Sequence, residues 1–206
     1  MSPTLFVVAG PNGAGKIIFS NSIVEVDFEV FDGDRHVAML MVLYPETGSG
    51  ILQNSVNEIN FRQAKELAIK ANGSFAFETN FSSEDPVKSL LEFKAAGFNS
   101  HLIFMRMNNI EECIQRVSIR VKAGGHKVSE DSIRYNYING YKNLYQFYRM
   151  FDVVTLRDGS VPEKDKMKTP LKLLQWKNGH IKLFEKQFPA WVEEFIQVNA
   201  ENFNQK

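Results

Sequence analysis

Seven residues near the N-terminus have the types and the spacing needed to hold a phosphate group. They are Gly10-Pro11-Asn12-Gly13-Ala14-Gly15-Lys16, which fits the pattern G-x-x-x-x-G-K. The glycines let backbone N–H groups curl around an anion, a following helix N-terminus adds a positive dipole, and the lysine reaches the terminal phosphates. A tight strand-to-helix turn without a ligand is the alternative interpretation. The pattern favours a nucleotide-binding loop with ATP or GTP as its ligand.

The residue after the lysine departs from this pattern. The full motif continues with Ser or Thr, whose hydroxyl binds Mg²⁺. Here Ile17 and Ile18 follow Lys16, and isoleucine has no oxygen to offer a metal ion. Ser20 comes later in the expected helix and is expected to point away from the site. We therefore expect the backbone cradle to survive, while Mg²⁺ loses its Ser/Thr ligand and turnover is weakened.

Acidic residues follow two predicted strands. Asp32 ends the apolar run 28–32 and Asp34 follows two residues later, while Glu78 follows the run Phe-Ala-Phe. Ligands of open α/β sheets bind at the carboxyl ends of the strands, where a carboxylate can orient or deprotonate an attacking hydroxyl. An Asp-Gly-Asp turn without a catalytic role is the alternative for the first pair. For Glu78 we expect a contact with substrate or with metal-bound water.

Basic residues gather after the fourth predicted strand. Arg116 and Arg120 are four residues apart, so a helix places them on one face. The segment Gly124-Gly125-His126-Lys127 follows, and a basic Gly-rich segment is typical of a lid over a phosphate that is being transferred. Solvated helix charges and an exposed loop histidine are the alternatives. The four histidines lack the spacing of metal ligands, so we predict no zinc site, and we assign no residue as a metal ligand.

The order of the predicted elements indicates the fold class. Short apolar runs predict five strands, at 5–9, 28–32, 74–77, 101–105 and 152–156. Helical patterns separate them, which predicts an α/β three-layer P-loop NTPase fold with a mostly parallel five-stranded sheet. A β-hairpin at 175–184 turns at Asn178-Gly179, and a helix begins near Pro189. We expect one domain over residues 1–206, with a core at about 4–160 and the C-terminal hairpin and helix at about 171–200.

The composition of the chain argues against nucleic acid and membranes as binding partners. The 206 residues contain 24 Lys and Arg and 24 Asp and Glu, so no overall field attracts nucleic acid or an anionic membrane. No apolar run approaches the roughly 20 residues that span a bilayer, and the N-terminus lacks the basic region of a signal peptide. A single cysteine, Cys113, fits a reducing compartment. We expect a cytoplasmic protein.

Taken together, these segments resemble the zeta-toxin-like P-loop kinases, and more closely a bacterial branch described as predicted ABC-type ATPase. The matching segments are LFVVAGPNGAGK at 5–16, FDGD at 31–34, GSFAFETNFS at 73–82 and AAGFNSHLIFMRM at 95–107. The likeness continues through the pattern R-x-x-x-R-V-x-x-G-G-H-x-V, which begins at Arg116, and through the helix at 129–148. It covers residues 4 to 160.

The resemblance implies an ATP-dependent kinase that, in the toxin members, phosphorylates a sugar hydroxyl of a nucleotide-activated sugar. It implies that Lys16 holds the ATP phosphates, that Asp34 is the general base, and that Arg116 or Arg120 stabilises the transferring charge. It also implies that Glu78 helps to bind substrate, and we assign Asp32, Thr79 and His126 to the substrate site beside it. The implied partners are a nucleotide, a small-molecule acceptor and a small antitoxin protein.

A second departure concerns the helix after the Gly-Gly-His segment. Family members usually carry an Arg-Arg-Tyr-like run there, whereas this chain has Tyr135-Asn136-Tyr137, which leaves Arg134 as the only basic residue of that run. Two losses at the phosphates suggest weakened catalysis. A degenerate nucleotide-binding protein that acts in regulation or partner binding is therefore the alternative function. An ATPase of the transporter type is disfavoured because the chain has no LSGGQ-like segment.

Overall fold

The computed structural model describes residues 2–16, 19–20, 24, 29–125, 127–160 and 170–203, and for 200–203 the backbone alone. Ile17, Ile18 and His126 therefore lie outside the described residues. Lys16, Phe19, Ser20 and Val24 are helical, in agreement with a helix after the glycine-rich loop.

The strands and helices alternate along most of the chain. The strands are β1 (Thr4–Ala9), β2 (Phe75–Thr79), β3 (Asn99–Arg106), β4 (Val153–Asp158), β5 (Leu171–Lys177) and β6 (His180–Leu183). The labelled helices are α1 (Gly33–Leu43), α2 (Ser49–Ser55), α3 (Arg62–Ala71), α4 (Asp85–Ala95), α5 (Ile110–Lys122), α6 (Glu130–Phe147) and α7 (Ala190–Phe203). A π-helical segment, Val56–Phe61, joins α2 to α3. Within the described ranges, no helix combines the length and the apolarity that crossing a membrane requires.

The strands form one six-stranded sheet in the order β2-β1-β3-β4-β5-β6. The first four in this order are parallel, and β4, β5 and β6 pair antiparallel. The predicted α/β class is confirmed, but the strand arrangement differs from the prediction. The hairpin is not a separate C-terminal element, because β5 pairs with β4 and extends the central sheet. Its turn is as expected, with Asn178 and Gly179 at φ of 49° and 84°, as a two-residue hairpin requires.

The strand predicted at 28–32 is wrong for the part that the structure describes. Phe31 makes one parallel bridge to Phe77, donating to the carbonyl oxygen of Ala76 (2.9 Å) and accepting from the N–H of Glu78 (2.9 Å). The chain then enters α1, because the Asp32 side chain caps that helix. The prediction missed this because an apolar run that ends in Asp-Gly-Asp also fits a helix N-cap.

Helices cover both faces of the sheet, which confirms the three layers. Leu5, Val7 and Ala9 point into the larger core cluster, which includes residues of α4, α6 and α7. Val8 points the opposite way, into a cluster with Ala14, Val24, Val30, Ala76, Ile103 and Met105. Because helices cover both faces of β1, the loop that follows this strand lies beyond its end, where the carboxyl ends of the parallel strands meet. That end carries the glycine-rich loop.

Candidate phosphate-binding site

The glycine-rich loop is held between its neighbouring strands at the carboxyl edge of the sheet. The N–H of Gly10 donates to the carbonyl oxygen of Thr79 at the end of β2 (3.2 Å). On the other side, a Cβ added to Gly10 would lie 2.1 Å from the carbonyl oxygen of Met105 in β3. Gly13 has a φ of 84° and rests against Cys113 of α5, whose carbonyl oxygen would lie 2.9 Å from an added Cβ. Both positions require glycine, so packing determines the shape of the loop.

Lys16 folds back into its own loop. Its Nζ donates to the carbonyl oxygens of Gly10 (2.6 Å) and Pro11 (3.1 Å) and to Oδ1 of Asn80 (3.2 Å). Burial lowers the pKa of Lys16, while the carboxylates of Glu78, Asp34 and Asp32 act in the opposite direction. The ammonium group is therefore inside the cradle and bound to carbonyl oxygens that a phosphate oxygen can replace.

Glu78 and Ser20 form a contact beside Lys16 that contradicts the sequence expectation for Ser20. Ser20 does not point away: it is 3% exposed, donates to the carbonyl oxygen of Lys16 (2.6 Å) and is hydrogen-bonded to Oε1 of Glu78. Ser20 lies four residues after Lys16, one helical turn along, so the two residues share a helix face. Burial raises the pKa of Glu78 to about 7, although Lys16 and the Ser20 hydroxyl act to lower it.

The raised pKa of Glu78 predicts a pH-dependent stability. The ordinary pKa of a glutamate is 4.5, so between that value and about 7 the unfolded chain binds fewer protons than the folded one. The folded state therefore loses stability as the pH rises through this window. Glu78→Gln removes this titration. We expect the free energy of unfolding of the variant to exceed that of the wild type by on the order of 1–3 kcal/mol at pH values above the window, and the difference to be smallest at pH values below the window.

Thermal unfolding of both proteins over a pH series measures this effect. Glu66→Gln is the matched control, because the side chain of Glu66 is 69% exposed on α3. A wild-type-minus-variant difference that stays constant from acid to neutral pH would contradict the predicted titration of Glu78.

Asp32 and Asp34 stand at the N-terminus of α1, beside the same lysine. The Asp32 side chain accepts from the N–H of Arg35 (3.1 Å), so one of its roles is to cap the helix. Asp34 lies in the first turn and is exposed. Both carboxylates act to raise the pKa of Lys16 and of Glu78. The structure thus brings together the three acidic residues that the sequence singled out.

Helix α6 covers the loop from the other side. Asn136 donates to Oδ1 of Asn12 within the loop (2.8 Å) and accepts from the Ser82 hydroxyl (2.7 Å). Gly140, one turn further on, lets the carbonyl oxygen of Asn80 approach closely, because an added Cβ would lie 2.7 Å from it. Neutral amides therefore contact the loop at the point where the resemblance leads one to expect arginine.

The two arginines of α5 differ in their distance from the loop. The Cβ of Arg116 would lie 3.5 Å from an added Cβ on Gly13, and its Nη1 donates to the carbonyl oxygen of Gly159 (2.7 Å). Arg120 packs against the turn at Gly125, where an added Cβ would lie 2.6 Å from the Cγ of Arg120. Arg116 is therefore at the loop, whereas the described contact of Arg120 is with the Gly-rich turn.

Thr79 makes its described contacts within the sheet edge. Its hydroxyl accepts from the N–H of Phe81 (3.0 Å), and Phe81 has a positive φ of 57°. Its carbonyl oxygen holds Gly10. These contacts shape the turn after β2 and anchor the loop, so Thr79 has a structural role besides the predicted substrate contact.

Sequence reasoning missed the contacts that three polar residues make in the site. The helical spacing from Lys16 to Ser20 was a usable signal for Ser20. Asn80 comes two residues after Glu78 and continues its side of the extended chain, which was a weaker signal. At Asn136 the sequence showed a departure from the resemblance but not the contact with Asn12, which joins residues 124 positions apart.

The oxygen atoms around Lys16 suit Mg²⁺ in chemical type. Mg²⁺ takes carboxylate and hydroxyl oxygens, commonly one or two protein carboxylates together with substrate phosphates and water. Glu78 and Ser20 supply both kinds of oxygen. The described residues contain no cluster of three or more His, Cys, Asp or Glu side chains that would form an all-protein metal cage. The donor set therefore fits a cation that arrives with the nucleotide.

No protein-family model matches the chain. An uncharacterized protein of Haemophilus influenzae is 29% identical over 142 residues, which cover 62% of this chain and 88% of that protein. This relative indicates common ancestry without indicating an activity.

Solved structures share the fold. A structure of the PezAT chromosomal toxin–antitoxin system of Streptococcus pneumoniae aligns with a TM-score of 0.58 at 14% identity, covering 99% of this chain and 87% of that one. The native AvrRxo1-ORF1:ORF2 complex aligns with a TM-score of 0.67 at 15% identity, and the chain spans 63% of the matched chain. The same complex with ATP aligns with a TM-score of 0.63 at 13% identity, covering 96% of this chain and 64% of that one. At these identities the likeness shows the fold alone.

Proposed function

We propose that this chain is an ATP-dependent phosphotransferase that moves the γ-phosphate of ATP to a hydroxyl of a small molecule, with a nucleotide sugar as the candidate acceptor. The observation that carries the proposal is the arrangement around Lys16. An ammonium group lies within a glycine-rich loop and feels the charges of Glu78, Asp34 and Asp32 at the carboxyl ends of the strands. This arrangement provides an anion cradle and carboxylates for an attacking hydroxyl at one sheet edge.

Each side chain has a distinct role in this proposal. Lys16 leaves its carbonyl partners and binds the terminal phosphates of ATP, which neutralises charge in the transition state. Asp34, exposed at the mouth of the site, accepts the proton of the acceptor hydroxyl as general base. Glu78 orients the acceptor by accepting a hydrogen bond when ionised, together with Thr79 and Asp32. Arg116 turns from the carbonyl oxygen of Gly159 to the phosphate.

Mg²⁺ would lower the charge on the transferring phosphates when bound. Glu78 and Ser20 would hold it, directly or through water. The Ser20 hydroxyl would thus supply the type of oxygen that Ile17 lacks. Arg120, in the last turn of α5, and His126, in the Gly-rich segment, are proposed to act as closing groups over the bound ligand.

A second candidate function is nucleotide binding without turnover, in regulation or partner binding. The observation that favours it is the contact of Asn136 with Asn12, since a neutral amide there contributes no positive charge to phosphate transfer. Ile17 at the motif's Ser/Thr position points the same way.

An antitoxin-type partner also belongs to the proposal. The structures with the same fold include a toxin–antitoxin system and the AvrRxo1-ORF1:ORF2 complex. We propose that a small protein which covers the ATP-binding edge would inhibit this chain.

ADP formation with a panel of nucleotide sugars tests the phosphotransferase proposal. We expect the wild type to form ADP only when an acceptor is present, and Asp34→Asn to lower the rate by about a hundredfold or more while ATP affinity changes little. Asp131→Asn, on the exposed first turn of α6, is the matched control and should keep the wild-type rate. ATP binding without acceptor-dependent turnover, unchanged by Asp34→Asn, would favour the second function instead.

A further inference from the structure

Arg106 is a basic residue of the sheet edge to which neither the motifs nor the proposed mechanism gives a role. It is the last residue of β3 and continues the face of Leu102 and Phe104, which point into the larger core cluster. Its side chain is partly buried beneath α6, with Cζ 3.6 Å from the ring centroid of Tyr141 and 4.3 Å from that of Tyr137. Two aromatic rings thus form a platform for the guanidinium group.

The guanidinium group has hydrogen-bond donors without acceptors. Nε and Nη1 of Arg106 are buried, and neither has a hydrogen-bond partner in the described part of the chain. Within the same residues, no carboxylate lies within 4.0 Å of the Arg106 side chain. Cation–π contact offsets some of the cost of burying this charge, but it does not satisfy the N–H groups. Buried charged donors without acceptors are expected where a ligand completes the site.

The platform is held rigidly by its own hydrogen bonds. The Tyr137 hydroxyl donates to the carbonyl oxygen of Met107 (3.1 Å), and the Tyr141 hydroxyl donates to that of Trp191 (2.6 Å). The carboxylate of Glu194 lies 3.0 Å from the same Tyr141 hydroxyl and so is engaged there, not with Arg106. The two rings therefore fix the position of the Arg106 guanidinium group.

The platform adjoins the phosphate-binding loop. Tyr137 follows Asn136, which contacts Asn12 of the loop. An added Cβ on Gly159 would lie 3.1 Å from the carbonyl oxygen of Ala14 and 3.2 Å from that of Arg106, so the two backbones flank one glycine. The buried thiol of Cys113 gives independent support: burial raises its pKa, and Lys16, Arg116 and Arg106 each act to lower it. The three cations therefore all lie near Cys113, the residue against which Gly13 of the loop rests.

We propose that Arg106 is an additional anion-binding residue of this site, and that its N–H groups bind a phosphate group of the nucleotide or of the acceptor. The proposal rests on the proposed function, because it assumes that phosphates occupy the loop. Arg106, at the end of β3, would supply a positive charge close to the place where α6 carries the neutral Asn136. The aromatic rings select Arg over Lys, since a planar guanidinium stacks on both rings and still presents its N–H groups at its edge.

Arg106→Met tests the proposal, because it removes the charge and keeps an unbranched apolar side chain against the rings. We expect ATP affinity, measured by calorimetry, to fall roughly tenfold to a hundredfold if the nucleotide supplies the phosphate. If the acceptor supplies it, ATP affinity is unchanged, and inorganic phosphate no longer binds to the ATP-saturated variant although it binds to the ATP-saturated wild type. Either result supports the proposal. Arg106→Lys should recover only part of the loss, and Arg62→Met, an exposed arginine of α3, should show none.

Thermal unfolding without ligand separates binding from a structural role. We expect the unliganded Arg106→Met protein to unfold at the same temperature as the wild type or higher, because buried donors without acceptors are removed. A lower unfolding temperature together with unchanged affinity for ATP and phosphate would overturn the proposal. If Lys16→Met loses ATP binding and Arg106→Met does not lose either ligand, the proposal fails and the phosphotransferase function stands. If the wild type binds neither ATP nor phosphate, both fail.

Discussion

Replacement of Lys16 by methionine is expected to lower the rate of phosphoryl transfer by about a hundredfold to a thousandfold. Lys16 is the ammonium group inside the loop, bound to the carbonyl oxygens of Gly10 and Pro11 and to Asn80. These partners are neutral, so a phosphate competes for the lysine with a full negative charge. Because the positive charge acts most strongly on the transition state, the rate should fall more than ATP affinity does.

Steady-state ADP formation and calorimetry of ATP binding measure the two effects of Lys16→Met separately. Lys88→Met is the matched control, since Lys88 is an exposed lysine of α4 that pairs with Asp85 at the surface. Circular dichroism should show that Lys16→Met keeps the fold. A variant that retains the wild-type rate within a few-fold would show that the loop is a structural turn and not a phosphate cradle.

Replacement of Gly10 by alanine is expected to destabilise the protein by about 3 kcal/mol or more and to abolish nucleotide binding. Its φ is 147°, which side chains rarely adopt, and the new Cβ would lie 2.1 Å from the backbone oxygen of Met105. A backbone oxygen within a central strand cannot move aside as a flexible side chain can. The loop must therefore shift relative to β3, and the hydrogen bond from Gly10 to Thr79 of β2 is distorted with it.

Chemical denaturation of Gly10→Ala, together with ATP titration of the folded protein, checks both effects. Gly50→Ala is the matched control: it lies in α2, an added Cβ there meets nothing within 4 Å, and alanine is favoured in helices. It should be neutral or slightly stabilising. Wild-type stability in Gly10→Ala would mean that the loop does not pack against β3 as described.

Local chemistry accounts for several elements of the structure. Asn109 and Ser129 are N-caps whose side-chain oxygens accept from N–H groups of the first helical turn. Asn72 ends α3 in the left-handed conformation, and Asn178-Gly179 turns the hairpin. Each of these depends on a few neighbouring residues, so the information lies within a short stretch of chain. The same reasoning failed at residues 29–32, where strand and helix-cap signals overlap and packing against β2 decides between them.

In the candidate site, too, some features follow from the local sequence and others depend on tertiary packing. Residue type predicted the phosphate-binding loop from Gly10 to Lys16. The rule that parallel strands end at one edge of the sheet predicted that the carboxylates after those strands lie near the loop. The Ser20 contact with Glu78, the Asn136 contact with Asn12 and the Arg106 platform depend on which helix packs over which strand. The sequence by itself predicted a loop of the type that holds a phosphate group. Only the tertiary structure decided which charges and amides surround it, because residues far apart in the chain meet there only after the helices have packed on the sheet.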